Sequence, residues 1–134
     1  MARVTARRRD GYTHDLDIDG HEMVIDEPES AGGNNQGPSP VRVLGASLAA
    51  CTAITVEMYA DRKGWDLGAL EVDVEITYDG PDPSAFAVTL RPASELDEDQ
   101  LGRLEVIAAK CPVHKALDGD ATVTIAVEPA SPGA

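Results

Sequence analysis

The sequence is short of aromatic residues and of positive charge. One Trp, one Phe and three Tyr occur among 134 residues, so large rings contribute little to any core. Acidic residues outnumber basic ones by 24 to 11, and the formal net charge is −13. Nucleic acids and anionic membrane surfaces attract proteins with a basic face, so we expect neither as the main partner.

Targeting and membrane segments are also not evident. The N-terminus lacks an apolar segment of the signal-peptide type, and no apolar run approaches the roughly 20 residues that span a membrane. We therefore expect a cytoplasmic protein, in which thiols stay reduced and a stable structural disulfide is not expected. The one basic cluster, at Arg3 and residues 7–9, is interpreted as a solvated arm.

Cysteine is rare, and its placement excludes the common metal-binding patterns. The chain has Cys51 and Cys111 but no CxxC pair, and its three histidines are scattered. This arrangement makes a poor zinc site, so we expect no metal and no cofactor.

The length and the order of patterns predict a single domain over residues 1–134 with an α+β fold. The expected order is β-β(-β)-α-β-β-α-β, with no internal repeat. The predicted elements are two or three antiparallel strands within 2–10 and 13–26, a loop at 27–38, a helix at about 40–63, strands at about 69–78 and 85–92, a helix at about 95–110, a last strand at about 121–128 and a tail at 129–134.

The first helix carries the strongest local signals. Ser39 is a good N-cap, Pro40 suits the first helical position, and Gly64 should end the helix. Helical spacing predicts an inner face of Leu44, Leu48, Cys51, Thr55 and Met58. Alanines flank this face, and a monomer with so few aromatic residues leaves such a helix poorly covered. We therefore infer a twofold-related partner subunit.

The second hairpin and the second helix have weaker signals. Leu70, Val72, Val74, Ile76 and Tyr78 should share the inner face of their strand. Ser94 should cap the second helix, which Cys111 should close just before Pro112 starts a short extra turn. The expected inward positions of this helix are Leu96, Leu101, Leu104 and Ile107 or Ala108.

Each cysteine has two interpretations, a small core residue or a redox-active thiol. Cys51 lies about eleven residues into its helix, where the dipole no longer helps, and burial should raise its pKa. Cys111 lies beside Lys110, His114 and Lys115, a positive setting that favours the thiolate. Both thiols lie on helices whose apolar faces should pack together.

Two motifs closely resemble the OsmC/Ohr family of thiol-dependent hydroperoxide reductases. They are Gly37-Pro38-Ser39-Pro40 running into Ala49-Ala50-Cys51, and Lys110-Cys111-Pro112-Val113, and the resemblance covers nearly the whole chain. It implies an intertwined homodimer with two central helices on antiparallel sheets and the active site at the subunit interface. It also implies that Cys51 attacks an organic hydroperoxide to form a sulfenic acid. Cys111 then forms a disulfide with it, which a dithiol such as a lipoyl group reduces.

The resemblance extends to an activating arginine but not to its glutamate. Arg9-Asp10-Gly11 is similar to the segment that supplies the arginine in the Ohr branch, which makes Arg9 the candidate, with a solvated arginine as the alternative. The family glutamate follows the Ser-Pro step, where this chain has Val41 and Arg42. Either Arg42 pairs with an acid from the 26–29 stretch (Asp26, Glu27 or Glu29), or the activation site is rearranged.

Three functions remain open on this basis. The leading one is a peroxidase acting on organic hydroperoxides, with an apolar surface of Leu48, Ile54 and Met58 near Cys51 for the alkyl tail. A non-peroxidase binding or redox-sensing protein of the same fold is the alternative. The third is a structural dimer module with inert buried thiols.

Overall fold

The computed structural model describes residues 1–130 and confirms an α+β fold with antiparallel sheets. The fold is not built from regular βαβ units, because each sheet is formed by strands that are adjacent in sequence. The elements are β1 (Val4–Asp10), β2 (Thr13–Ile18), β3 (His21–Ile25), a short 3-10 turn (Glu29–Ala31), α1 (Pro40–Lys63), β4 (Glu71–Asp79), β5 (Asp82–Arg91), α2 (Glu98–Ala108), α3 (Pro112–Lys115) and an irregular turn (Ala116–Asp120).

The N-terminal region forms a three-stranded antiparallel sheet in the order β1-β2-β3. Asp19 and Gly20 have φ of 51° and 95°, which suits the tight turn between β2 and β3. Gly11, with φ of 54°, lies in the turn between β1 and β2. Residues 7–9 lie within β1, in agreement with the strand predicted at 2–10, and their side chains are exposed, as expected for a solvated basic cluster.

The bounds of α1 agree with the sequence signals. Ser39 Oγ accepts the Arg42 N–H at 3.4 Å, Pro40 is the first helical residue, and Gly64 ends the helix with φ of 72°. The last turn also places Arg62 and Lys63 at the C-terminus, where positive charge is favourable.

The buried face of α1 differs from the predicted one by about one residue. Gly45 explains the rotation: a Cβ there would lie 2.8 Å from Ile76 Cδ1, so the helix makes its closest approach to β4 at this position. Met58, predicted inside, is 58% exposed. The buried residues of α1 are Gly45, Leu48, Thr52, Val56 and Ala60.

Helix α1 is more apolar than we predicted from the sequence. Its mean hydropathy reaches 1.5 over an 18-residue window, so by length and composition alone it could cross a membrane. The expectation that no apolar run approaches that length was therefore wrong. In the fold, α1 packs on β4, β5 and α2, which is the position of a core helix.

The second sheet is the β4–β5 hairpin. Val72, Val74 and Ile76 face the core side as predicted. A register shift between Thr77 and Tyr78 turns Tyr78 outward, where it is 41% exposed, contrary to the prediction. β5 begins at Asp82 rather than at 85, because the turn is confined to Gly80 and the residue after it.

The main core lies between α1, α2 and the chain segment that follows α1. Its buried members are Val56, Ala60, Leu67, Leu104 and Ile107.

The start of α2 was predicted three residues too early. Asp97 and Gln100 form a capping box, so α2 starts at Glu98. Ser94 instead donates its backbone N–H to the Leu67 carbonyl at 3.3 Å and fixes the loop after α1. Leu101, predicted inside, is 46% exposed, whereas Leu104 and Ile107 are buried as expected.

The strand predicted at 121–128 does not form within the chain. Residues 121–130 have no regular structure, and Val123, Ile125 and Val127 are 88%, 89% and 92% exposed. The alternating sequence favours a strand, but a strand also needs a neighbouring edge, and none of the described strands pairs with this segment. Of the predicted tail, residues 131–134 lie outside the described part of the chain.

Candidate active site

The fold brings the two thiols together. Cys51 lies in the middle of α1, and Cys111 lies in the link between α2 and α3, where α3 packs against α1. Both cysteines are free thiols, and their side chains are in hydrogen-bonding contact with each other. Sixty residues of sequence therefore separate two sulfurs that share one site.

Cys111 is held by a helix junction rather than by α2 itself. α2 ends at Ala108, and Cys111 donates its N–H to the Ala108 carbonyl at 3.3 Å to close the last turn. The backbone of Cys111 is then extended, with φ of −58° and ψ of 132°, and Pro112 starts α3. The predicted extra turn is confirmed, but Cys111 is the N-cap of α3 and not the last residue of the preceding helix.

The surroundings of Cys111 favour its thiolate. Its side chain is fully buried, and burial alone raises the pKa of the thiol. Hydrogen bonds from the Cys51 thiol, the His114 backbone N–H (3.5 Å) and the Thr52 hydroxyl outweigh burial, so the pKa of Cys111 lies below its ordinary value. These hydrogen bonds lower it, rather than the neighbouring lysine charges that the sequence suggested.

Cys51 has the opposite character. Burial raises its pKa, and the hydrogen bond to Cys111 raises it further. The Val113 backbone N–H and the Thr55 hydroxyl offset only part of this effect. Cys51 is nevertheless partly exposed, so it is the sulfur that a molecule from solution can reach.

An apolar cavity opens one helical turn from Cys51. Its volume is about 470 Å³. His114 borders it, and the His114 Nε2 atom lies 3.1 Å from Asp118 Oδ2 at the cavity edge. The cavity combines an apolar wall with this polar rim, and its lining includes Leu44, Leu48, Phe86, Val88 and Leu117.

Arg9 does not contact the thiols within the described chain. Its side chain donates to Asp15 across the β1–β2 pair, with Nε 3.1 Å from Asp15 Oδ2, and both side chains are about half exposed. The three-stranded sheet that carries Arg9 packs little against α1. Within a single chain, Arg9 therefore does not lie beside Cys51.

The acid sought for Arg42 has another role. Asp26 is buried and accepts hydrogen bonds from the Thr13 hydroxyl at 2.7 Å and from the backbone N–H of Gln36 at 3.2 Å. Among the ion pairs of the described residues, none joins Arg42 to an acid of the 26–29 stretch.

Two site residues were not recognised from the sequence. Thr52 is buried and its hydroxyl bonds to Cys111, while Thr55 bonds to Cys51. Their positions, one residue and one helical turn after Cys51, were a usable signal. Thr52 was missed because the predicted inner face pointed its side chain away from the core.

A metal centre is not indicated in residues 1–130. No group of three or more His, Cys, Asp and Glu side chains is placed there to hold a metal ion.

Comparison with known proteins places the chain in one family. The family model described as OsmC-like protein matches residues 32–126. No curated protein is significantly similar to the chain. Among solved structures, the OsmC-like protein of Mycoplasma pneumoniae has a TM-score of 0.73 at 20% identity and 90% and 89% coverage of this chain and that one.

Two further structures carry names that mention hydroperoxide resistance. The organic hydroperoxide resistance protein OhrB of Bacillus subtilis has a TM-score of 0.60 at 25% identity, with 90% and 92% coverage of this chain and that one. An organic hydroperoxide resistance protein OsmC of Legionella pneumophila has a TM-score of 0.66 at 16% identity, with 90% coverage of both chains. With its family model matched over most of its length, the chain belongs to the OsmC-like protein family.

Proposed function

We propose that this protein is a thiol-dependent peroxidase that reduces organic hydroperoxides through a Cys51 sulfenic acid and a Cys51–Cys111 disulfide. The observation that carries the proposal is the contact between a reachable thiol and a fully buried one with a lowered pKa. Membership of the OsmC-like family supports a peroxidase-type role in general terms. OhrB of Bacillus subtilis, a structural relative, is named for organic hydroperoxide resistance.

The reaction begins at Cys51. The Cys51 thiolate attacks the terminal oxygen of the hydroperoxide, the O–O bond breaks, and the released alkoxide takes up a proton to become an alcohol. Cys51 is left as a sulfenic acid. The Cys111 thiolate then attacks the Cys51 sulfur, a disulfide forms, and hydroxide leaves to become water. A dithiol such as a lipoyl group returns both cysteines to thiols.

The cavity supports an organic rather than an inorganic peroxide. Leu44, Leu48 and Phe86 line this cavity and offer an alkyl chain an apolar wall one helical turn along α1 from Cys51. Hydrogen peroxide has no group to bury there. Ile54 and Met58, the other apolar residues expected near Cys51, are more than half exposed.

Activation of Cys51 requires a cation, because burial and the neighbouring sulfur raise its pKa. We assign this role to Arg9 of a second copy of the chain. The strands β1–β3 make little contact with the helices in the described chain, so in a homodimer this sheet can cover α1 of the partner. The pair with Asp15 would then orient the guanidinium.

The homodimer is itself part of the proposal. Ile54 and Met58 on α1 and the alternating segment at 121–128 are exposed apolar surfaces within one chain. An exchanged C-terminal strand, paired with a sheet of the second copy, accounts for its composition. We also propose a cytoplasmic location, where cellular reductants return the disulfide to thiols.

The test is a comparison of single-cysteine variants. Cys51→Ser should abolish turnover of cumene hydroperoxide with dihydrolipoamide. Cys111→Ser should consume one equivalent of peroxide and leave a sulfenic acid on Cys51, detected as a dimedone adduct by intact mass. Turnover in Cys51→Ser, or the absence of the adduct in Cys111→Ser, would contradict the proposal.

A redox-sensing or binding role is the alternative, and two observations favour it. The chain has no glutamate after the Ser-Pro step, and the pKa of Cys51 is raised. A sensor would form the disulfide with peroxide but would not turn over with dihydrolipoamide. A binding protein would lose no thiols on exposure to peroxide.

A further inference from the structure

The two sulfurs of the site differ sharply in their access to solvent. Cys111 is fully buried, and Thr52, which lies against it from α1, is 1% exposed. Cys51 is partly exposed on the same helix. A thiol that arrives from solution can therefore reach the Cys51 sulfur, whereas the protein itself blocks the approach to the Cys111 sulfur.

The two sulfurs also differ in how well the site holds a negative charge. Cys111 Sγ accepts the His114 backbone N–H at 3.5 Å, and the Thr52 hydroxyl bonds to the same atom. The two donors come from different helices and converge on a buried atom. In thiol–disulfide exchange, the sulfur that carries charge more easily leaves faster.

We propose that the reducing dithiol attacks Cys51 Sγ of the Cys51–Cys111 disulfide and that Cys111 leaves as a thiolate, with Thr52 as the positioning residue. This inference rests on the disulfide of the proposed function. Reduction then proceeds through one mixed disulfide, which joins the reductant to Cys51 on α1 and not to Cys111.

The electrons and protons balance in two exchanges. One thiolate of the dithiol forms a bond to Cys51 Sγ while the Cys51–Cys111 bond breaks, and the electron pair moves to Cys111. The second thiol of the dithiol then attacks the dithiol sulfur that is bonded to Cys51. The dithiol becomes a cyclic disulfide, and Cys51 is released as a thiol. The dithiol loses two electrons and two protons, and the two cysteines regain them.

The site of attack can be mapped directly. The wild-type protein is oxidised with diamide, exposed briefly to 2-mercaptoethanol, quenched with N-ethylmaleimide in denaturant and analysed by peptide mass. We expect the mercaptoethanol adduct on Cys51 and the maleimide on Cys111. An adduct mainly on Cys111 overturns the proposal. Diamide makes the disulfide without peroxide, so failure of the peroxidase reaction would be seen separately.

The role of Thr52 is tested with two variants of similar size. Thr52→Val removes the hydroxyl, and Thr52→Ser keeps it. We expect Thr52→Val to slow reduction of the diamide-formed disulfide, because loss of the hydroxyl raises the pKa of the leaving Cys111 thiol and a thiol of higher pKa leaves more slowly. Thr52→Ser should restore the rate.

A purely structural role for Thr52 predicts a different result. A structural role would slow Cys51 oxidation by cumene hydroperoxide in a Cys111→Ser background as much as it slows reduction of the disulfide, whereas stabilisation of the Cys111 thiolate acts on reduction more strongly than on oxidation. If both half-reactions slow equally, or if reduction is as fast in Thr52→Val as in the wild type, Thr52 does not stabilise the leaving thiolate.

Discussion

Asp26 shows, at the scale of single residues, how this protein accommodates a buried charge. The carboxylate accepts the Thr13 hydroxyl and the backbone N–H groups of Glu27, Asn34 and Gln36. Burial raises its pKa, but these hydrogen bonds outweigh burial and the net shift is downward. Asp26 thereby ties the loop before α1 to the start of β2.

Asp26→Asn should therefore destabilise the protein at neutral pH and flatten its acid unfolding. The pKa of Asp26 is lower in the folded state than its ordinary 3.8, so its contribution is present above pH 3.8 and is lost as the pH falls through the folded pKa. Thermal unfolding between pH 7 and pH 2 measures this. Glu22→Gln, on an exposed position of β3, is the control. It should change neither the melting temperature at pH 7 nor its dependence on pH. An unchanged wild-type-like profile in Asp26→Asn would refute the argument.

The activating cation is a second question at this scale. Arg9→Ala should raise the pKa of Cys51 and slow its alkylation, because the hydrogen bonds to Cys51 within the chain offset only part of the effect of burial and a cation would supply the rest. The measurement is the pH dependence of iodoacetamide labelling of Cys51 in a Cys111→Ser background. Arg42→Ala is the matched control. If Arg42→Ala shifts the curve and Arg9→Ala does not, Arg42 is the cation.

Individual elements of the fold depend on glycines for different reasons. In the loop before α1, a Cβ at Gly37 would lie 2.2 Å from the Val24 carbonyl oxygen, and backbone atoms cannot easily move away. In α2, nothing lies within 4 Å of the Cβ position at Gly102. Gly37 allows two chain segments to touch. Gly102 makes no such contact and only increases the conformational freedom of the unfolded chain.

Two glycine substitutions should therefore have opposite effects. Gly37→Ala should lower the melting temperature, because it separates β3 from the loop. Gly102→Ala should raise the free energy of unfolding by about 0.5–1 kcal/mol through the better helix propensity of alanine. Urea denaturation of both variants checks the signs. A stabilised Gly37→Ala protein would show that the loop relaxes without loss.

At the scale of the whole molecule, apolar side chains remain exposed on two parts of the single chain. The C-terminal segment presents alternating apolar side chains to solvent, and α1 exposes Ile54 and Met58 on the side away from β4. Exposed, unpaired strands of this kind favour association with another chain. A homodimer would cover both surfaces and bring a second copy of Arg9 near the thiols.

Light scattering should give about twice the chain mass of 14.1 kDa at micromolar concentration. Ile125→Lys should weaken the dimer, because it places a charge on the apolar face of the exchanged segment. Thr124→Lys, on the opposite face, is the control and should have a smaller effect. A monomeric wild type whose melting temperature does not change on dilution would refute the dimer.

Local sequence signals were sufficient for much of the architecture. Ser39, Pro40 and Gly64 set the bounds of α1, and the turn at Asp19-Gly20 separates β2 from β3. These features depend on the conformational preferences of residues close in sequence. The family motifs, Ala49-Ala50-Cys51 and Lys110-Cys111-Pro112, likewise identified the two thiols.

The remaining features depended on contacts between distant segments. Close packing at Gly45 rotated α1 so that Thr52, not Thr55, lies in the core. The junction of α2 and α3 places the buried Cys111 where hydrogen-bond donors from two helices lower the pKa of its thiol. The segment at 121–128 has strand-forming residues but no pairing edge within the described chain. Sequence determines local preference, whereas a strand, a buried face or a shifted pKa also requires a partner that only the tertiary structure supplies.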